Sequence, residues 1–280
     1  MKFVGFSGRK NITKADVESL RGTGVHRICF AHQHAKEPKR ADPPNIGFFN
    51  VPFLNSVGFI LGEETDLELF KGKYGYFRSI QSESEFRTID TWCRGQGTRI
   101  FLRDCLDLSI ALDQNLVDNE SGTYTHLGAL EARAKNAPDE AALSELTDII
   151  ADQIRSLPGY RNAPFIAAVP PKPGKTYDLP SVLAARVTAS LGKEDLTPRF
   201  SFKEKKGTVK QLPVDQKWEA WESTGLELSP PIKGGAVILV DDKYQSGTTL
   251  QFVASKLINA GADKVFGLCI VKTLRDTDNT

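Results

Sequence analysis

The sequence predicts an α/β chain with a parallel, helix-covered sheet in its C-terminal half, and three neighbouring features carry that prediction. Ala236-Val237-Ile238-Leu239-Val240 is an unbroken apolar run, as expected of a strand covered on both faces. Leu250, Val253, Ala254, Leu257 and Ile258 then trace one face of a helix that Gly261 can end. Lys264 to Val271 is mainly apolar again, so the segment reads as a βαβ unit.

From the N-terminus onward, residues 1–125 read as an α+β region of short, irregularly alternating segments, and residues 126–280 as a more regular second region. Lys2 to Phe6 and Arg27 to Ala31 have the look of strands, and Lys36 to Pro44 that of a loop. Ser7-Gly8-Arg9-Lys10 is read as a turn, although its backbone and two cations could hold an anion. Phe48, Phe49, Phe53, Phe59, Phe70, Tyr74, Tyr76 and Phe77 form an aromatic concentration, for which core packing is a simpler reading than a base-stacking surface.

In the second region Pro138, Asp139 and Glu140 open a helix whose apolar stripe is Leu143, Leu146, Ile149, Ile150 and Ile154. Phe165 to Val169 reads as a buried strand, stopped by Pro170-Pro171-Lys172-Pro173-Gly174-Lys175. Ser181 is the expected cap of a helix that Gly192 closes. Phe202 to Gly225 is rich in lysine (Lys203, Lys205, Lys206, Lys210, Lys217) and reads by itself as a solvated loop.

Composition bounds the function. Lys plus Arg number 36 and Asp plus Glu 35, so no general positive field favours nucleic acid or membrane surfaces. No long apolar stretch suggests a membrane span or an export signal, and the expected address is the cytoplasm. Cys29, Cys93, Cys105 and Cys269 form no Cys-x-x-Cys pair and are expected as free thiols. Cys29, His32 and His34 gather metal-ligand types without a close fourth, and the preferred reading is a buried thiol followed by solvated histidines.

The chemistry concentrates where the apolar strand meets its helix. Asp241 and Asp242 follow the strand, and Ser246-Gly247-Thr248-Thr249 opens the helix after Lys243-Tyr244-Gln245. Ligands of open α/β sheets bind outside the carboxyl ends of the strands, where a helix N-terminus favours an anion. Small hydroxylated residues suit a phosphate monoester, and adjacent acids suit sugar hydroxyls or the hydration shell of Mg²⁺. Together they fit a ribose 5-phosphate. Gly-x-Gly-x-x-Gly and Gly-Lys-Ser/Thr are both missing, which argues against dinucleotide and Walker-type sites.

Over about residues 125–275 the sequence resembles the type I phosphoribosyltransferase family, on the match of Val237 to Thr249 to its signature, and within it ComF-like members. The resemblance implies a type I phosphoribosyltransferase-like parallel sheet flanked by helices, and binding of 5-phosphoribosyl 1-pyrophosphate (PRPP). It implies that Asp241 and Asp242 contact the ribose hydroxyls, and Mg²⁺ only indirectly, through those hydroxyls or water. Ser246, Gly247, Thr248 and Thr249 would cradle the 5-phosphate, with Tyr244 and Gln245 beside them. Pro171, Lys172 and Lys175 would belong to the pyrophosphate loop, and Lys205, Lys206 and Lys210 to a mobile catalytic hood.

Gln245 stands where many purine-using members carry an acid, which tilts the expectation toward PRPP hydrolysis or a specialised acceptor: water or a nucleobase. The cysteine cluster common before ComF-like domains is absent from residues 1–125. The pattern is also similar to phosphoribosyltransferase-like toxins of Shosta toxin–antitoxin phage-defence modules. That similarity implies a partner related to DNA-processing protein A and a poison of nucleotide metabolism. A homodimer is a further expected partner state, and no membrane is expected. A PRPP or nucleotide sensor without turnover, and a ComF-like DNA-uptake accessory, are the alternatives.

Overall fold

The computed structural model describes residues 11–20, 28–30, 47–51, 55–72, 75–171, 174–204, 212 and 214–274. Ser7 to Lys10, His32, His34, Lys172, Lys205, Lys206 and Lys210 lie outside them, as do Phe53 and Tyr74.

One seven-stranded sheet organises the chain, in the spatial order β1 (Ile28–Phe30), β5 (Ile100–Leu102), β6 (Leu108–Gln114), β12 (Lys264–Lys272), β11 (Ala236–Tyr244), β7 (Phe165–Ala168) and β8 (Glu194–Asp195). From β6 to β8 every neighbouring pair is parallel, whereas β5 is antiparallel to both β1 and β6. The expected α/β architecture, a mostly parallel sheet flanked by helices, is therefore present. The sheet also crosses residue 125: β6 pairs with β12 from Leu108–Phe266 to Gln114–Lys272.

Strand parity sorts the core into two faces. Ile238 and Val240 pack with α2 (Asn55–Thr65), α3 (Glu83–Gly95), α4 (His126–Ala134), α5 (Glu140–Ser156) and α6 (Leu179–Leu191). Val237 and Leu239 pack on the opposite side with α1 (Lys14–Ser19), α7 (Val214–Glu222) and α8 (Thr248–Asn259). This is the physical reason for the unbroken apolar run of β11, since both of its faces are covered.

The helix limits differ in detail from those expected. Asp139 caps α5 by accepting from the Ala142 N–H, as the acidic start suggested. The cap of α6 is Asp178 rather than Ser181, because the Asp178 carboxylate accepts from both the N–H and the hydroxyl of Ser181. Gly192 ends α6 in the left-handed region. The aromatic concentration divides: Phe49 is buried, whereas Phe48 and Phe70 are exposed on a small antiparallel sheet, β2 (Gly47–Val51), β4 (Tyr76–Ile80) and β3 (Phe70–Lys71). A two-stranded ribbon, β9 (Phe200–Ser201) with β10 (Glu227–Leu228), flanks α7.

Candidate active site

Because β6, β12, β11 and β7 run parallel, their carboxyl ends share one rim. β11 continues through the acid pair to Tyr244, setting Asp241 opposite Cys269 and Tyr244 opposite Lys272. It therefore runs past Val240, where the apolar run ends. The side chains turn polar at the rim while the backbone ladder persists.

Asp242 has the parity of Ile238 and Val240 and meets α4. Its Oδ2 accepts from Lys135 Nζ at 2.7 Å, and the same ammonium donates to Glu131 Oε1 at 2.5 Å. The other Glu131 oxygen lies 3.2 Å from Lys243 Nζ, and Glu131 is 1% exposed. A buried carboxylate thus holds two lysines, one of which grips Asp242. Burial by itself would lower the Lys135 pKa, but the Asp242 and Glu131 carboxylates outweigh it and raise the pKa, keeping the cation charged.

Asp241 has the opposite character. Burial first, then the Asp242 carboxylate, push its carboxyl well above the ordinary range, against a backbone donor from Asp242 at 2.9 Å and the Lys135 charge. Asp241 and the lysine-held Asp242 therefore set two carboxyl groups side by side at the rim, an arrangement suited to hydroxyls. Cys269, beside Asp241, is raised well above the usual thiol range by burial first and then by neighbouring Asp241 and Asp104.

After β11 the chain turns through Gln245, which is exposed, into Ser246 and Thr248, which are buried with hydroxyls 3.2 Å apart. Gly247 caps α8 with φ +74° and offers no side chain, and the Thr248 N–H reaches Ser246 Oγ only at 3.5 Å. First-turn N–H groups without a side-chain cap are the donors an anion uses. The turn needs glycine for a second reason: a Cβ at residue 247 would lie 2.2 Å from Tyr244 Oη. Tyr244 is 3% exposed and belongs to the core as the floor of the turn, its hydroxyl 3.4 Å from Asp104 Oδ2. It is not open to a ligand as the sequence suggested. Thr249 Oγ1 accepts from Trp221 Nε1 at 3.1 Å, which ties α7 to the turn.

Val169 N–H donates to Val240 O at 3.0 Å, so the loop leaving β7 starts beside the acid pair. Pro171 is half-buried there, while Lys175 is exposed and paired with the α6 cap Asp178 at 2.8 Å. Within the lysine-rich segment, Lys203 pairs with Glu227 and Lys217 is buried in α7. The sequence reading missed Glu131, Lys135 and Trp221. Trp218 and Trp221, one helical turn apart, were the available signal for α7.

Neither a protein-family profile nor a curated protein sequence matches the chain. Among solved structures, a purine phosphoribosyltransferase from Pyrococcus horikoshii Ot3 is similar at 18% identity and a TM-score of 0.30, over 50% of this chain and 81% of that one. An adenine phosphoribosyltransferase from Leishmania tarentolae is similar at 10% identity and a TM-score of 0.33, over 59% of this chain and 91% of that one.

Proposed function

We propose that the rim of β11 binds a phosphorylated pentose and that the protein is a phosphoribosyltransferase-type enzyme cleaving PRPP. One observation carries this reading: at the carboxyl edge of a parallel sheet, an acid pair, one member of it held by a lysine, is followed by a hydroxylated turn that opens a helix N-terminus. The acids suit the ribose diol, and Ser246, Thr248, Thr249 and the α8 N–H groups suit the 5-phosphate. Pro171, Lys172 and Lys175 are assigned to the pyrophosphate side, and Lys205, Lys206 and Lys210 to closure over it.

In this reading Asp241 and Asp242 would contact Mg²⁺ only indirectly, through the ribose hydroxyls or water, and the ion would supply charge stabilisation to the leaving pyrophosphate. The chain's own contribution is to fix the sugar at both ends and exclude water when closed. With Gln245 exposed and carrying no carboxylate, water is the favoured acceptor. The C1–O bond breaks with its electrons on pyrophosphate, the water oxygen bonds C1, and the water proton passes to the leaving group or solvent. Such an activity would drain PRPP, in keeping with the toxin-like sequence pattern and a DNA-processing protein A-related partner. Residues 126–280 carry every assigned ligand contact, so the division at residue 125 is proposed as one of role.

Incubating the protein with PRPP and Mg²⁺ without base should yield ribose 5-phosphate and pyrophosphate, and the double variant Asp241→Ala, Asp242→Ala should not. Turnover only when a nucleobase is added would make it a transferase. Binding without turnover in either case would make it a sensor.

A further inference from the structure

Lys135 is the cation of the rim that neither the apolar pattern nor the hydroxylated turn accounts for. Its place is fixed from below. Glu131 sits one helical turn earlier on α4, buried, with each oxygen facing a lysine. α4 itself is seated tightly: Thr125 caps it, the Thr125 hydroxyl donates to Gln114 O at 2.5 Å, and a Cβ on Gly128 would fall 2.0 Å from Asn115 O. Only glycine lets the helix approach the end of β6 this closely. The ammonium is therefore delivered by a rigid element and is not left on a free surface stem.

An ammonium has three donors. Two are used, by Glu131 and by Asp242 Oδ2, and among the described residues the third has no acceptor. The Lys135 side chain is 25% exposed and that of Asp242 17%, so the contact opens toward the rim. A hydroxyl resting on the Asp242 carboxylate would have its own oxygen beside the unused ammonium hydrogen. Carboxylate and ammonium together match a hydroxyl, which donates to one and accepts from the other. They do not match a methylene.

We propose that Lys135, positioned by Glu131, is a further substrate-contacting residue, donating its third N–H to a sugar hydroxyl held by Asp242 and so reading the presence of the diol. This rests on the phosphorylated-pentose reading of the site. The ammonium adds discrimination because a ligand lacking that hydroxyl would displace water from the third ammonium hydrogen without replacing its acceptor.

The test is a thermodynamic cycle by calorimetry, with ribose 5-phosphate and its 2-deoxy and 3-deoxy analogues as probes. The unsubstituted protein should prefer the parent sugar over at least one analogue by about tenfold or more. In Lys135→Met that preference should collapse toward unity, and Lys135→Arg should restore part of it. Because Lys135→Met leaves a buried carboxylate short of a partner, the double variant Glu131→Gln, Lys135→Met serves as the second reading and should show the same collapse. Unchanged preferences for both analogues in the Met variants overturn the inference and leave the site reading standing. Failure of the unsubstituted protein to bind ribose 5-phosphate overturns both.

Discussion

Two residues at the rim show opposite demands on stability. Gly247 satisfies a backbone at φ +74° and a tyrosine ring pressed against its Cα hydrogens. Gly247→Ala should destabilise the protein by at least about 2 kcal/mol in urea unfolding and abolish ribose 5-phosphate binding, because left-handed strain and a steric clash add. A binding-competent, equally stable alanine variant would show that the turn has another conformation. Asp241 is the reverse case. Burial holds its carboxyl well above the ordinary carboxylate value, so at pH between the unfolded and folded pKa the folded state keeps a proton that the unfolded chain releases. Its stabilising share is complete below the unfolded pKa and is lost as pH rises through the folded pKa. Asp241→Asn keeps an acceptor for the Asp242 N–H without the charge, so it should raise the melting temperature at pH 8. The gain should shrink toward pH 4, while binding of the sugar is lost. A variant less stable than the parent at pH 8 would contradict the assigned shift.

At the scale of elements, α7 is where the structure adds most. Trp218 and Trp221 pack against Phe252 of α8, and the Trp221 indole N–H reaches the hydroxyl of Thr249 in the first turn of that helix. Ligand at the turn should therefore alter tryptophan fluorescence. Trp221→Phe should remove most of that change and Trp92→Phe, on the far side of the sheet, should retain it. Equal responses in the two variants would detach α7 from the site. Elements were legible in the sequence where one physical signal dominated. The run Ala236 to Val240 and the stripe from Leu250 to Ile258 are such cases, and so is the acid-led start of α5. α4 was not legible, because its short stripe of Leu127, Leu130 and Ala134 is interrupted by the buried charge of Glu131. α3 hid its buried Ile89, Trp92 and Cys93 among charged residues. The acid pair and hydroxylated turn are local in the chain and could be read. The grip of Lys135 on Asp242 joins residues 107 positions apart, and only the fold brings them together.

On the scale of the whole molecule, the sheet decides what can stand alone. β12 presents Val265, Phe266, Leu268, Cys269, Ile270 and Val271 as buried residues between β6 and β11. β6 is supplied by residues 108–114, before the expected division at residue 125, and its own apolar residues Leu108, Ile110, Ala111 and Leu112 are buried as well. A chain of residues 126–280 would keep all the assigned ligand contacts of the rim. It would lose β12's parallel neighbour and leave a nine-residue strand with an open hydrogen-bonding edge and uncovered apolar side chains. It would also lose α2 and α3, whose Val57, Ile60, Leu61, Ile89 and Trp92 complete one core face. Such a fragment should aggregate or unfold without a cooperative transition, and it should not bind ribose 5-phosphate although every proposed contact is present in its sequence. A soluble, cooperatively unfolding, sugar-binding fragment would make residue 125 a folding boundary and reduce β6 to a dispensable cover. The expected failure would mean that the N-terminal residues contribute to the site by building the edge on which α4, and with it Lys135, is seated.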